Sequence, residues 1–244
     1  MIRRILDRNP DILRIPKRKV RDLPDVSEKL KRLMDEIHEY SMEDRFKIGI
    51  EVSNWIDRER IKGLLEFLIN RRADGCFISG ILSNVLRKGS TIELRFKRKI
   101  NYIGYRLRHG RILIRGNVGN KVGYGMEGGE IVVFGDGGNW IGERMKDGCI
   151  VIKGNVENYL GLYMEGGKII VEGNARYGVG EEMRGGEIFI KGNAGAMVGN
   201  KMRGGVIRVM GTVKSFGYRG AGRIYYWKDG RWFEKSVDYY IYYR

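Results

Sequence analysis

The stretch GNVENYLGLYMEGGKIIVEG, residues 154–173, decides how this chain folds. It opens and closes on glycines 19 residues apart, and its parts recur at that interval in both directions. Met126, Met145, Met164, Met183 and Met202 form one column, with Leu107 one step earlier. Three glycine columns keep the same register. The first is Gly104, Gly123, Gly142, Gly161, Gly180, Gly199; the second is Gly110, Gly129, Gly148, Gly167, Gly186, Gly205. The third, Gly116, Gly135, Gly154, Gly173, Gly192, Gly211, is followed each time by a small polar residue: Asn117, Asp136, Asn155, Asn174, Asn193, Thr212. A period of this size marks a stacked repeat architecture.

Each unit holds one short β-branched run, such as Ile131–Val133, Ile150–Ile152 or Ile169–Val171, bounded by glycine, which reads as a strand. Nineteen residues are too few for a helix pair and suit one turn of a β-solenoid. Successive strands then stack in parallel about 4.8 Å apart. Crossover handedness favours the right hand. The expected fold is therefore mainly β: a right-handed, single-stranded parallel β-helix of 19-residue turns. Glycine recurs where a corner takes φ > 0 or lets backbones approach closely, and Asn or Asp beside it serves the turn.

Period-two alternation sorts the side chains. Ile131 and Val133, Ile150 and Ile152, Ile169 and Val171, Ile188 and Ile190, and Ile207 and Val209 face the bore. Ile103, Val122, Ile141, Leu160, Val179, Val198 and the methionines join them, the latter as flexible core filler. The residues between, Leu113, Val132, Val151, Ile170 and Phe189, point outward yet are apolar, and Arg208 ends the row. Their neighbours Arg111, Glu130, Lys168 and Glu187 are charged. Such a stripe is a candidate interface that something covers. Internal cover by the helix read at Ile61–Ile69 is favoured over a partner subunit or a second copy.

Around the repeats, residues 1–90 read as an α+β cap, 91–212 as the β-helix and 213–244 as an aromatic C-terminal cap. In the first segment, Asp25–Tyr40 carries a helical stripe, Phe46–Val52 alternates as a strand, and a second helix runs from near Asp57 to Arg72. Cys76–Ile78 and Ile92–Phe96 read as irregular first turns. Arg223–Glu234 reads as a hairpin turning at Asp229–Gly230. Trp227, Trp232, Tyr239 and Tyr240 either close the end of the solenoid or form a docking surface.

The units resemble the GXGXG repeat domain found at the C-terminus of the glutamate synthase large subunit, in one of the subunits of formylmethanofuran dehydrogenase, and as a free-standing archaeal protein. The resemblance covers Ile92 to Thr212. It implies a right-handed β-helix without catalytic, cofactor or metal residues of its own, holding the parts of a redox assembly in place. Scarce proline and abundant Lys, Arg and Glu are in keeping with a heat-adapted source.

Composition and motifs narrow the function classes. The net charge of +16 is spread along the chain: 24 basic and 16 acidic residues in 1–100, 15 and 11 in 101–212, 7 and 3 in 213–244. A dedicated nucleic-acid module concentrates its excess in one stripe, so polyanion binding is the alternative and not the leading reading. No apolar run is long enough for a bilayer, and the charged N-terminus lacks a signal core, so a cytoplasmic protein is expected. Two cysteines, Cys76 and Cys149, make neither a disulfide framework nor a zinc ribbon. The two histidines, His38 and His109, sit in charged or turn settings without a nucleophile partner. The GxGxxG string at Gly123–Gly128 consists of repeat glycines outside a βαβ context. No activity is expected of this chain alone, and no cofactor or metal.

Overall fold

A computed structural model describes residues 33, 35, 37–54, 61–70, 73–218 and 221–235. Its centre is a sheet of nine strands in sequence order: β1 (Thr91–Arg95), β2 (Arg111–Arg115), β3 (Glu127–Phe134), β4 (Asp147–Ile152), β5 (Lys168–Val171), β6 (Glu187–Ile190), β7 (Arg203–Val209), β8 (Ala221–Lys228) and β9 (Arg231–Glu234). The first eight pair in parallel, and Ile131↔Ile150, Ile150↔Ile169 and Ile169↔Ile188 fix the 19-residue register. The chain is a β-helix. A second line of parallel bridges, Gly137↔Val156↔Ala175↔Ala194↔Val213, runs along another face. The bore is filled as the columns predict: the sheet isoleucines and valines, the methionines from Met126 to Met202, and the Val122–Val198 column are all buried.

Corners explain the glycines and the small polar residues. Gly123 has φ +69°, and a Cβ there would overlap the Ile150 side chain of the next turn. Gly154 is different: its φ is not left-handed, but a Cβ would collide with the Asp136 carboxylate and the Gly135 backbone of the turn before. Beside it, each side-chain oxygen accepts the backbone N–H one turn on, from Asn117 to Asp136 (2.8 Å), Asp136 to Asn155 (2.8 Å), Asn155 to Asn174 (2.9 Å), Asn174 to Asn193 (2.8 Å) and Asn193 to Thr212 (2.8 Å). A second ladder, Asn101–Asn120–Asn139–Asn158, does the same at the next corner and ends on Tyr177 N–H. These ladders satisfy donors that the bending backbone would otherwise leave unpaired.

The N-terminal layer departs from the sequence expectations. Phe46–Val52 is not a strand but part of helix α1 (Met42–Asn54). Ser41 caps it, its hydroxyl accepting from Asp44 N–H and donating to the Asp44 carboxylate. Its buried face is Phe46, Ile48, Gly49, Val52 and Ser53. The helical spacing is hidden in the sequence because Gly49 contributes no side chain to the pattern. Helix α2 (Ile61–Asn70) falls inside the predicted span Asp57–Arg72. Cys76–Ile78 is not an irregular turn but the start of helix α3 (Gly75–Val85), where Asp74 Oδ1 accepts from Cys76 and Phe77 N–H. Ile92–Phe96 is not irregular either, since Thr91–Arg95 forms the regular first strand. Most of Asp25–Tyr40 lies outside the described residues; Ile37–Glu39 forms a short 3₁₀ turn.

Helix α3 closes the N-terminal end. Seven successive residues from Cys76 to Leu82 are buried, as in a helix enclosed on all sides. In the stacked turns, Gly123 N–H bonds the Ile103 carbonyl and Gly142 N–H the Val122 carbonyl, both at 2.8 Å. The first turn has no predecessor, and there Gly104 and Tyr105 N–H donate to the Ser79 hydroxyl at 2.9 and 3.3 Å. Ser79 thus stands in for a missing turn. Helices α1 and α3 cross at Gly49 and Gly80, where a Cβ on either would run into the other helix's backbone.

At the other end the turn shortens, with Val206 pairing Arg223 instead of a residue 19 on. The hairpin β8–β9 turns at Asp229 (φ +50°) and Gly230 (φ +76°), as predicted. Tyr226 lies in the inward row and meets Phe216 and Phe233, ring centroids 5.7 and 5.8 Å away. These rings cap the bore. Among the described residues no helix is long and apolar enough to cross a membrane.

Two glycine substitutions separate packing from propensity. Gly63→Ala, in α2 with nothing within 4 Å of the new Cβ, gains about 0.5–1 kcal/mol. Gly80→Ala, whose Cβ falls on the Phe46 carbonyl, loses about 3 kcal/mol or more by overpacking. Denaturant melts of both variants give opposite shifts in midpoint.

Candidate interaction surfaces

The outward apolar row is continuous. Leu113, Val132, Val151, Ile170 and Phe189 are register partners on consecutive strands β2–β6. Val132 is buried and the other four are half-buried. Glu93 precedes the row and Arg208 follows it. Helix α2 meets the sheet at β1. The C-terminal hairpin reaches the far end of the row, where Trp232 lies 6.5 Å from Phe189 between ring centroids. Trp227 and Trp232 face each other across the hairpin at 5.3 Å, each 39% exposed. Tyr239 and Tyr240 lie outside the described residues.

Ion pairs between adjacent turns frame the row. Arg111 meets Glu130 at 3.0 Å, and Lys168 meets Glu187 at 3.2 Å, which also holds Arg208. On the other edge Glu172 bridges Lys153 and Lys191 at 2.8 and 3.0 Å. Hydrogen bonds from both lysines hold the Glu172 carboxyl below its ordinary range. The opposite charges noted in the sequence are thus arranged turn against turn.

The turn face carries a second surface that sequence reasoning missed. Tyr102, Tyr124, Trp140, Tyr159 and Tyr177 make a ribbon along the axis. Trp140 and Tyr159 are nearly parallel at 6.0 Å, and Tyr159 meets Tyr177 edge-on at 5.5 Å. Lys121 sits between Tyr124 and Trp140, 5.2 and 5.4 Å from their centroids, and 2.8 Å from the buried Glu143 carboxylate. Three of these rings and Lys121 occupy or adjoin one 19-residue column, Tyr102–Lys121–Trp140–Tyr159, so the signal was present. It was obscured because the column mixes aromatics with a lysine. The backbone here is left-handed at non-glycine residues, including Trp140 (φ +58°), Arg144 (+56°), Tyr159 (+62°) and Tyr163 (+56°). Each is a conformation that L-residues adopt at a cost of about 1–2 kcal/mol, so the stacked turns hold this face rigidly.

At the N-terminal end of the same face, Glu43 of α1 ties the helical layer to the solenoid. It accepts from Tyr105 Oη at 3.1 Å and from Arg106 at 2.9 Å, while Arg106 and Arg108 share Glu127 at 3.3 and 2.8 Å. Burial acts to raise the Glu43 and Glu127 pKa values, but the arginine and tyrosine contacts outweigh it, and both lie below their ordinary range. Burial and the Glu43 contact push Tyr105 up to about 12.

The chemistry-bearing residues are scattered. His109 is exposed on a groove of about 720 Å³ at the first corners, beside Lys88, Arg108, Arg111 and Asp147. Burial drives the Cys76 and Cys149 thiols above their usual range, the reverse of an activated nucleophile. Gly123, Gly125 and Gly128 serve the repeat corners. Among the described residues no group of three or more His, Cys, Asp or Glu is placed to hold a metal. No family model matches this chain, and no curated protein matches it.

Because the folded pKa values of Glu43 and Glu127 are depressed, their contribution is complete above the unfolded carboxylate value of about 4.3 and is lost as pH falls below it. Thermal melts from pH 7 to pH 3 should show this loss. Glu43→Gln lowers the melting temperature at pH 7 and flattens the acid limb; an unchanged limb would remove Glu43 from the account.

Proposed function

We propose that this chain is a non-catalytic assembly subunit or domain that holds the components of a redox complex of the glutamate synthase or formylmethanofuran dehydrogenase kind. The observation that carries the reading is the outward row from Leu113 to Phe189: five apolar side chains in register on the sheet, edged by ion pairs, four of them half-open to solvent. A row of this kind offers a partner an apolar centre and a polar rim. The likeness of residues 92–212 to the GXGXG repeats supports the choice of complex. Polyanion binding along a basic track is the other reading. Along the described solenoid, however, many cations are already held by carboxylates of neighbouring turns, including Arg111, Lys153, Lys168, Arg176, Lys191 and Arg208.

The test is purification of the chain from its native source at moderate and at high salt, with mass spectrometry of what accompanies it. Oxidoreductase subunits retained at high salt are expected. Nucleic acid that high salt strips away, with no protein retained, overturns the proposal. Val151→Asp with Ile170→Asp should weaken retention on the order of 30-fold, about 2 kcal/mol, while circular dichroism stays unchanged.

A further inference from the structure

The repeat places two carboxylates in equivalent positions on the turn face with different surroundings. At the first, Glu143 Oε2 lies 2.8 Å from Lys121 Nζ, and the Tyr124 and Trp140 rings flank the ammonium. Carboxylate, ammonium and aromatic walls form a cation cage within the chain, an ion pair at Glu143 Oε2 without an aligned hydrogen bond to that oxygen. Two turns later the positions of Lys121, Tyr124, Trp140 and Glu143 are taken by Tyr159, Leu162, Gly178 and Glu181. The carboxylate is retained and the lysine is replaced.

Glu181 Oε1 accepts a hydrogen bond from Asn200 Nδ2 at 3.0 Å. Glu181 Oε2 is shielded from solvent and has no hydrogen-bond donor among the described residues. A carboxylate oxygen so placed is unfavourable unless a donor or a cation reaches it. Gly178 allows a close approach beside it: a Cβ there would lie 2.8 Å from the Tyr159 ring and 3.2 Å from Glu181 Oε2. The Tyr159 ring therefore rests over a glycine backbone, next to the shielded oxygen, with the exposed Tyr177 ring edge-on to it.

We propose that Glu181, with Tyr159 and Tyr177, is a binding site for a single organic ammonium or guanidinium group. The cation reaches Glu181 Oε2 as Tyr159 moves off Gly178, and it reproduces the Lys121–Glu143 pair in an intermolecular form. A charge-assisted bond to the carboxylate supplies the attraction, and the tyrosine faces supply the cation–π walls. The group comes from a lysine or arginine of a docked protein or from a free amine. The site stands on the repeat geometry and is independent of the assembly role.

The test is NMR on the full chain, reading the Asn200 side-chain amide and the Tyr159 ring during titration with n-butylammonium and with a blocked lysine tripeptide, against sodium chloride at matched ionic strength. Saturable shifts are expected, weakened about tenfold or more in Glu181→Gln, a loss of about 1.4 kcal/mol. Tyr159→Lys supplies an internal ammonium for Glu181 at the position equivalent to Lys121 and should abolish probe binding while raising the melting temperature. Binding of both probes assigns the site to a protein side chain, and binding of n-butylammonium alone assigns it to a free amine. Shifts that do not saturate, or that persist unchanged in Glu181→Gln or Tyr159→Lys, overturn the proposal.

Discussion

A turn of this solenoid cannot satisfy its own backbone. Within the 19 residues the chain bends at every corner, and its N–H and C=O groups point along the axis toward the turns above and below. The hydrogen bonds follow suit, as from Gly161 N–H back to Ile141 and from Val156 N–H on to Asn174, both at 2.8 Å. Where bending carries a donor away from its neighbour's carbonyl, an asparagine side chain of the adjacent turn completes the bond. The apolar columns then have no freedom in register, because one residue of slip would turn every bore side chain to the outside. Both ends inherit the same demand. Ser79 answers it at the start, and a shortened turn with an antiparallel hairpin answers it at the finish.

This dependence also decides what can be read from the residues alone. The β-helix was legible because every turn repeats the same problem and meets it with the same residue types at the same interval. The bore, the outward row and the closing hairpin followed from periodicity and alternation. The helical layer was less legible, since it solves its packing once. In α1 the residue at the centre of the buried face is Gly49, which a hydrophobicity pattern cannot register. In α3 the apolar residues surround the helix on all sides, so no amphipathic period remains. The role of Ser79 depends on which turn is missing, and no local pattern conveys that. The aromatic ribbon lay between these cases, periodic in position but mixed in chemistry.

Net charge gives an incomplete picture of this surface. A chain of +16 suggests a polyanion partner, yet along the solenoid the acids and bases alternate from turn to turn and hold one another at 2.8–3.2 Å in Lys153–Glu172–Lys191, Arg111–Glu130 and Lys168–Glu187. Such pairs set polar boundaries for the apolar row between them. The sheet face and the turn face consequently offer different chemistry: one a dry strip with a charged frame, the other tyrosines and a tryptophan interleaved with buried carboxylates. A rod with two such separate faces can engage two bodies at once without either competing for the same residues.

The asparagine ladders have an evolutionary consequence. Because each rung bonds only to the rungs next to it, the gain or loss of one residue inside a turn breaks the ladder steps and columns that cross that turn, whereas the gain or loss of 19 leaves each contact type intact. The molecule's length is therefore quantised. A gene lineage carrying this fold can lengthen or shorten the regular part of the rod only by whole units, in steps of about 4.8 Å, so the separation of its two ends changes by discrete increments.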